Sequence, residues 1–443
     1  MANVTFVSLY DRNAYGLRLM SANLKKHGHQ CHIIFLKRYD TEPSSKLALE
    51  PGEYPWMGIY KNGRTFKYAF KSKISAREFD LLRQILHELQ PDVIGLTVNT
   101  PLRFKAVEVT RFIKKHFAAP VIWGGFDPTV STADCLELCD YACVGEGDRT
   151  ILEVAERIDA GHKFDDVCNL AFLKNGTAIK NRLYPLEKNL DNYPWRDNSP
   201  EGKYFIEDNR IKANHAGITD RAAGCCQAMS ARGCPYRCSY CCEAAFQELY
   251  AGEKFLRRRS PEDLVAELAQ TKRQLRISDI WFEDEIFAID VKWLEKFVPL
   301  YKKEVGLPFM AYIYHSHNME RILKLLKSAG LKHCCLALES GSERINKEVF
   351  RRVYDRDRII HAARLCRELG IRFYTDVITY NPYEEEEDLK KTLDVLVEMG
   401  GRYELAVNKL FALPGTKIAQ QMERDGIKID PSEKDVMFDY YCR

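Results

Sequence analysis

The sequence predicts an α/β protein with a doubly wound parallel sheet in front and a partial (β/α)6 barrel behind. Three observations carry this. The chain has 443 residues, more than one ordinary core accommodates. Short apolar runs alternate with helical patterns over residues 1–162 and again over 223–425. Between them, at 163–222, the alternation gives way to a turn-rich connector, and residues 426–443 form a short tail.

In the front unit, strands are expected at residues 4–10, 31–36, 93–98, 121–125 and 141–144. Leu17, Met20 and Leu24 recur at helical spacing after the first strand. Further helices are expected at 75–89, stopped by Pro91, and at 104–117, 135–139 and 152–158. A polar, turn-rich excursion separates the second strand from the helix at 75–89. Strands bounded by helices imply a parallel sheet covered on both faces, with ligands at the carboxyl ends of its strands. The connector holds a hairpin around Lys174-Asn175-Gly176 and a docking point at Leu190-Asp191-Asn192-Tyr193-Pro194. The rear unit carries strands at 227–231, 279–282, 309–314, 333–338, 372–378 and 404–411. Helices at 261–275, 291–305, 319–328, 356–369 and 386–399 lie between them. Function in such a barrel sits on the loops after the strands.

Composition excludes several classes. With 66 basic and 63 acidic residues, a net charge of +3 leaves no electrostatic footprint for nucleic acid. No apolar run approaches membrane-spanning length and the N-terminus lacks a secretory pattern, so a cytoplasmic location without a membrane partner is expected. Fifteen cysteines in such a chain point away from a disulfide framework and towards metal or redox chemistry, although most should be small buried hydrophobes.

The decisive segment is Ser230-Ala231-Arg232-Gly233-Cys234-Pro235-Tyr236-Arg237-Cys238-Ser239-Tyr240-Cys241. Cys234, Cys238 and Cys241 follow the first barrel strand. At this spacing three thiolates can take three corners of a 4Fe-4S cluster and leave the fourth iron open. A structural zinc site would want four closed ligands.

This segment resembles the radical S-adenosylmethionine (SAM) superfamily, and segments over residues 225–425 agree with it. The resemblance implies that Cys234, Cys238 and Cys241 ligate the cluster, whose open iron chelates SAM. One electron then cleaves SAM to a deoxyadenosyl radical. It also places the Tyr240 backbone near the adenine. In Trp281-Phe282-Glu283-Asp284-Glu285 it makes Glu283 and Asp284 candidates for the SAM ammonium. In Leu338-Glu339-Ser340-Gly341-Ser342 it sets Glu339 and Ser340 near the ribose or methionyl group. Leu413-Pro414-Gly415-Thr416 matches the family's last strand exit. The family's Gly-Leu-Pro-Gly-Glu-Thr-like loop is here Tyr380-Asn381-Pro382-Tyr383-Glu384-Glu385, a departure.

Residues 1–162 resemble the flavodoxin-like or Rossmann-like cobalamin-binding domain that precedes many such barrels. Gly124-Gly125-Phe126-Asp127-Pro128-Thr129 looks like its Gly-Gly-x-x-Pro-Thr, and Gly145-Glu146-Gly147-Asp148 like its Gly-Glu-Gly-Glu. Glycines there let the backbone approach a bulky ligand tail. The Asp-x-His-x-x-Gly signature appears as Asp11-Arg12-Asn13-Ala14-Tyr15-Gly16, with Asn13 where the cobalt-ligating histidine would stand. Thr97-Val98-Asn99 replaces Ser-x-Leu. The expected cofactor-binding residues are therefore Asn13, Tyr15, Gly16, Thr97, Asn99, Gly124, Gly125, Gly145, Glu146 and Gly147. An amide is a poor cobalt ligand, which implies base-off cobalamin without a lower histidine.

Together these imply a cobalamin-dependent radical SAM methyltransferase. It would move a methyl from SAM via methylcobalamin to an unactivated carbon of a peptide, protein or small molecule, with flavodoxin or ferredoxin as electron donor. The alternatives are a ring-forming or ring-rearranging enzyme of the same family, a methylthiotransferase, or an iron–sulfur protein that binds SAM without turnover. A methylthiotransferase would need a second cluster, and Cys31, Cys135, Cys139, Cys143 and Cys168 are dispersed over strands and helices.

Overall fold

The computed structural model describes residues 1–37, 40–43, 55–61, 64–69, 73–212 and 224–428. The front sheet is built on parallel strands Gln30–Leu36, Asn3–Leu9, Val93–Thr97, Val121–Gly124 and Tyr141–Cys143, lying side by side in that order. Numbered along the chain this is 2-1-3-4-5, the flavodoxin-like arrangement, with its switch point between Asn3–Leu9 and Val93–Thr97. Its strands are apolar on both faces because helices cover both. Val7, Leu9, Ile94, Leu96 and Trp123 pack on one side with helices Ala76–Leu89 and Arg103–His116. Val4, Phe6, Ile33 and Phe35 pack on the other with Tyr15–Lys26 and Asp148–Asp159. Each such fully buried side chain stabilises the fold by roughly 1.5–3 kcal/mol relative to exposure.

Two stretches differ from the sequence expectation. The connector is woven into the front sheet. Leu170–Lys174 pairs antiparallel with Tyr141–Cys143 and turns through Asn175-Gly176 into Thr177–Lys180, while Lys203–Glu207 adds parallel to Gln30–Leu36. The excursion contributes strands to the other domain. Pro55–Lys61 pairs antiparallel with Glu404–Lys409 of the barrel, Arg64–Ala69 pairs with Pro55–Lys61, and Asp40–Pro43 follows. The alternation Phe66-Lys67-Tyr68 is the sequence signal for these strands, and the polar turn formers around it mask it. A smaller shift concerns the helix expected at 135–139, which runs Thr132–Leu136, preceded by a short turn of helix Phe126–Val130.

The barrel is a run of parallel neighbours, Cys225–Ala228, Asp279–Phe282, Phe309–Ile313, Leu331–Leu336, Arg372–Thr379 and Glu404–Lys409. Helices Pro261–Gln274, Val291–Glu304, Met319–Ala329, Arg356–Glu368 and Glu386–Met399 alternate with these strands. Ser260 caps the first of them by accepting from the Asp263 amide, with Pro261 at the first helical position.

Candidate functional site

The loop carrying the three cysteines leaves the first barrel strand, forms the short pair Ala231–Arg232 with Arg257–Arg258, and runs into helix Cys242–Leu249. Gly233 adopts φ +86°, and a Cβ there would stand 2.6 Å from the Phe255 carbonyl, so only glycine fits. Gln247 reaches back from the helix, its Nε2 donating to the carbonyls of Cys234 (2.6 Å) and Tyr236 (2.7 Å). Ser239 pins the far end of the loop. Its amide donates to Phe350 O (2.8 Å), its hydroxyl to Val349 O (2.6 Å), and its carbonyl accepts from Ile418 N (3.0 Å).

Cys238 is buried, and Cys234 and Cys241 are half-buried. Burial pushes the Cys234 thiol up to about 12 and the Cys238 thiol upwards, while a hydrogen bond with Cys242 and then burial raise Cys241. A metal taking these ligands must displace their protons. Among the described residues no three His, Cys, Asp or Glu side chains converge on a single ion. An all-thiol loop of this kind suits a cluster, where each cysteine takes its own iron, better than one closed ion.

Around the barrel mouth the expected residues divide. Glu283 accepts from Gln227 Nε2 (3.0 Å) at adjacent strand ends. Asp284 is turned inward, both its oxygens accepting from the Ser230 amide (3.1 and 3.0 Å) and one from the Ser230 hydroxyl. Its role here is to clamp the root of the cysteine loop. Ser340 is likewise committed. Its hydroxyl accepts from Ser342 N (3.2 Å) and lies 3.2 Å from Thr392 Oγ1 and 3.4 Å from Glu384 Oε1. Glu339 sits at φ +64°, a strained conformation for a side chain-bearing residue. Burial and then Asp376 push its carboxyl up to about 7 against the pull of Arg352, 3.7 Å away. Arg352 also donates to the Tyr240 hydroxyl (3.3 Å) and to Ala337 O (3.1 Å), and lies over the Tyr314 ring. The sequence reading missed Arg352, because no spacing relates it to the cysteines it lies beside.

The front strand ends face one cavity of about 470 Å³ together with the stem of the cysteine loop, Ala231 to Gly233, and the helix after it. The three cysteines are not among its lining residues. From the front domain Tyr15, Gly16, Thr97, Asn99, Gly124, Gly125, Gly145, Glu146 and Gly147 line it. Asn13 is not among the lining residues; Asp11 is, accepting from the Asn13 amide (2.8 Å). From the barrel come Arg232, Gly233, Glu243, Tyr250, Arg257 and Glu285, among others. A Cβ on Gly16 would meet nothing within 4 Å, leaving its backbone open to a ligand. Gly145 has a different reason. At φ +82°, a Cβ there would collide with the Tyr250 hydroxyl, so this glycine makes room for the barrel. The two front motifs are also joined, since Thr129 donates to Gly125 O (2.7 Å) and accepts from Gly145 N (3.0 Å). Glu243 was not foreseen. Burial, with Glu285 and Glu146 nearby, pushes its carboxyl up to about 8.

Residues 229–396 match the Radical SAM superfamily model. An uncharacterised methyltransferase of Pyrococcus horikoshii is 25% identical, over 71% of this chain and 66% of its own length. The cytidylyl-2-hydroxyethylphosphonate methyltransferase of Streptomyces wedmorensis is 23% identical, over 94% and 79%. An anaerobic magnesium-protoporphyrin IX monomethyl ester cyclase of Cereibacter sphaeroides is 23% identical, over 70% and 50%. The matched part is thus just under two thirds of the first relative and half of the cyclase. The radical SAM methyltransferase TsrM of Kitasatospora setae, in a structure with cobalamin and a [4Fe-4S] cluster bound, superposes with TM-score 0.72. It shares 16% identity over 97% of this chain and 80% of that chain. No helix among the described residues is long and apolar enough to cross a membrane.

Proposed function

We propose that this chain, which carries a radical SAM domain, is a cobalamin-dependent methyltransferase acting on an unactivated carbon. The observation that carries the reading is the shared cavity. It is bounded by the carboxyl ends of the front parallel sheet on one side and, on the other, by Ala231, Arg232 and Gly233, which lead into the cysteine loop, and by the helix after that loop. Relatives named as methyltransferases align along most of the chain.

In this reading Cys234, Cys238 and Cys241 hold a [4Fe-4S] cluster, which when bound supplies the electron that cleaves SAM. Cobalamin, when bound at the front strand ends, would carry the methyl group. Glu283 stands at a strand end where the SAM ammonium can be met, while Arg352 fixes the Tyr240 and Glu339 side chains beside the loop. Asp284 and Ser239 hold the loop at its two ends. Tyr15, Gly16, Thr97, Asn99 and the glycines of both front motifs would surround the cobalamin, with no histidine among residues 11–16 to ligate the cobalt. The target carbon offers no acidic proton, so no general base is asked of the chain.

The test is product stoichiometry after anaerobic reconstitution. Two SAM molecules are consumed per methylation, so 5′-deoxyadenosine and S-adenosylhomocysteine should accumulate in about equal amounts. SAM bearing a CD3 group should deliver all three deuterons to the product. Deoxyadenosine with a rearranged, unmethylated product and no S-adenosylhomocysteine would instead favour a cyclase, as the Cereibacter relative is named. SAM left intact would overturn both.

A further inference from the structure

Glu146 belongs to a loop expected to touch the front-domain ligand, yet its carboxylate and that of Asp148 point across the domain boundary. Arg232 Nη1 and Nη2 grip Asp148 Oδ2 and Oδ1 at 2.8 and 3.0 Å, a two-armed pair, and Nη1 also lies 3.2 Å from Glu146 Oε2. Arg257, its side chain 1% exposed, donates to both Glu146 oxygens, with Nη1 at 3.2 Å from Oε2. Burial pushes the Asp148 carboxyl up, and Arg232 more than reverses this, holding it below the usual range. The backbone of the same loop is fastened too. Glu146 N donates to the Tyr250 hydroxyl (3.0 Å), and Glu146 O accepts from Asn169 Nδ2 (3.0 Å).

We propose that Glu146, Asp148, Arg232 and Arg257 are positioning residues that fix the separation between the front-domain ligand and the cysteine loop. The inference rests on the cobalamin and cluster reading above. Arg232 and Arg257 are opposite members of the short strand pair, and only Gly233 separates Arg232 from Cys234. A displacement of Asp148 is therefore handed to the first cluster cysteine within two residues. All four residues also line the cavity at the front strand ends, so one rigid unit borders that cavity and leads directly into the cysteine loop. A buried ion network adds little net stability over apolar packing, because desolvating the charges offsets their attraction. What it specifies well is geometry: a two-armed pair tolerates little rotation or translation. That is what group transfer between two separately held cofactors requires.

The test uses full-length Asp148→Asn and Arg232→Lys proteins loaded with cobalamin and cluster. Arg232→Lys keeps the charge and loses the second arm, so it serves if Asp148→Asn folds poorly. Pulsed dipolar EPR between Co(II) and the reduced cluster reads their separation directly, and hydrogen exchange reads residues 144–149 and 230–237 without either cofactor. Both variants should keep cobalamin and iron within about twofold of wild type. The cobalt–cluster distance distribution should widen about twofold, with exchange rising about tenfold in both segments. A distribution as narrow as wild type, or cobalamin lost from the variants while exchange is unchanged, overturns the proposal. Wild type that takes up no cobalamin sinks the functional reading instead, and the exchange measurement still decides whether the two loops are coupled.

Discussion

His315 stands at the carboxyl end of the third barrel strand, 7% exposed, its Nε2 without a hydrogen-bond partner. Burial, then the positive charge of Arg352, lower its pKa to about 4, with Asp355 pulling the other way and Arg358 adding a smaller push. A histidine kept neutral in the fold contributes stability that is present above its ordinary pKa of about 6.5. That contribution is lost as pH falls from there towards 4. At pH 5 the loss is about 2 kcal/mol relative to pH 7.5. Thermal unfolding at both pH values should show His315→Gln losing correspondingly less than wild type; equal losses would mean that the imidazole is solvated. Residue types were legible here while their commitments were not. The three cysteines stand out in the sequence because one short loop supplies them all. Asp284 and Ser340 are cofactor candidates by resemblance, and in the fold Ser230, Ser342 and Thr392 engage them. Partners remote in sequence leave no local signature.

At the scale of elements, helices with their own start signals were readable to within a residue or two. The helix expected at 75–89 runs Ala76–Leu89, with Ser75 and Glu78 forming a capping box. The strands of the excursion, such as Pro55–Lys61, escaped because polar turn formers surround their short runs and their pairing partner Glu404–Lys409 is remote in sequence. The cysteine loop lies between these cases: its cysteines are local and its anchors remote. Ser239→Ala keeps all three thiols and removes the donor to Val349 O, leaving that buried carbonyl short of a partner at a cost of about 1–3 kcal/mol. The variant should assemble a cluster and surrender its iron to a chelator several-fold faster than wild type. Replacing Cys234, Cys238 and Cys241 together with Ala should abolish the thiolate-to-iron absorption from the outset. Chelation at the wild-type rate would show that the loop is held without Ser239.

At the scale of the whole molecule the two α/β units are interlocked rather than strung in series. A strand from the front half, Pro55–Lys61, covers the outer barrel strand Glu404–Lys409, with Leu405–Asn408 paired to Met57–Tyr60. Arg232 and Arg257 of the barrel find their counter-charges on the front loop. A barrel fragment spanning residues 224–428 would therefore expose the amide and carbonyl groups of Glu404–Lys409 as an unpaired edge. It would also leave two arginines of the cavity wall without partners, after a desolvation that only their carboxylates offset. Its wall of the cavity, including Phe246, Tyr250 and Phe255, would face water. The fragment is expected to associate, whereas the full chain should run as a single species and unfold in one cooperative transition. Size-exclusion chromatography with light scattering, followed by calorimetry, distinguishes the outcomes. A monodisperse fragment melting within a few degrees of the full chain would show that the barrel is self-sufficient, and that the crossed strand and the ion network add position without holding the halves together.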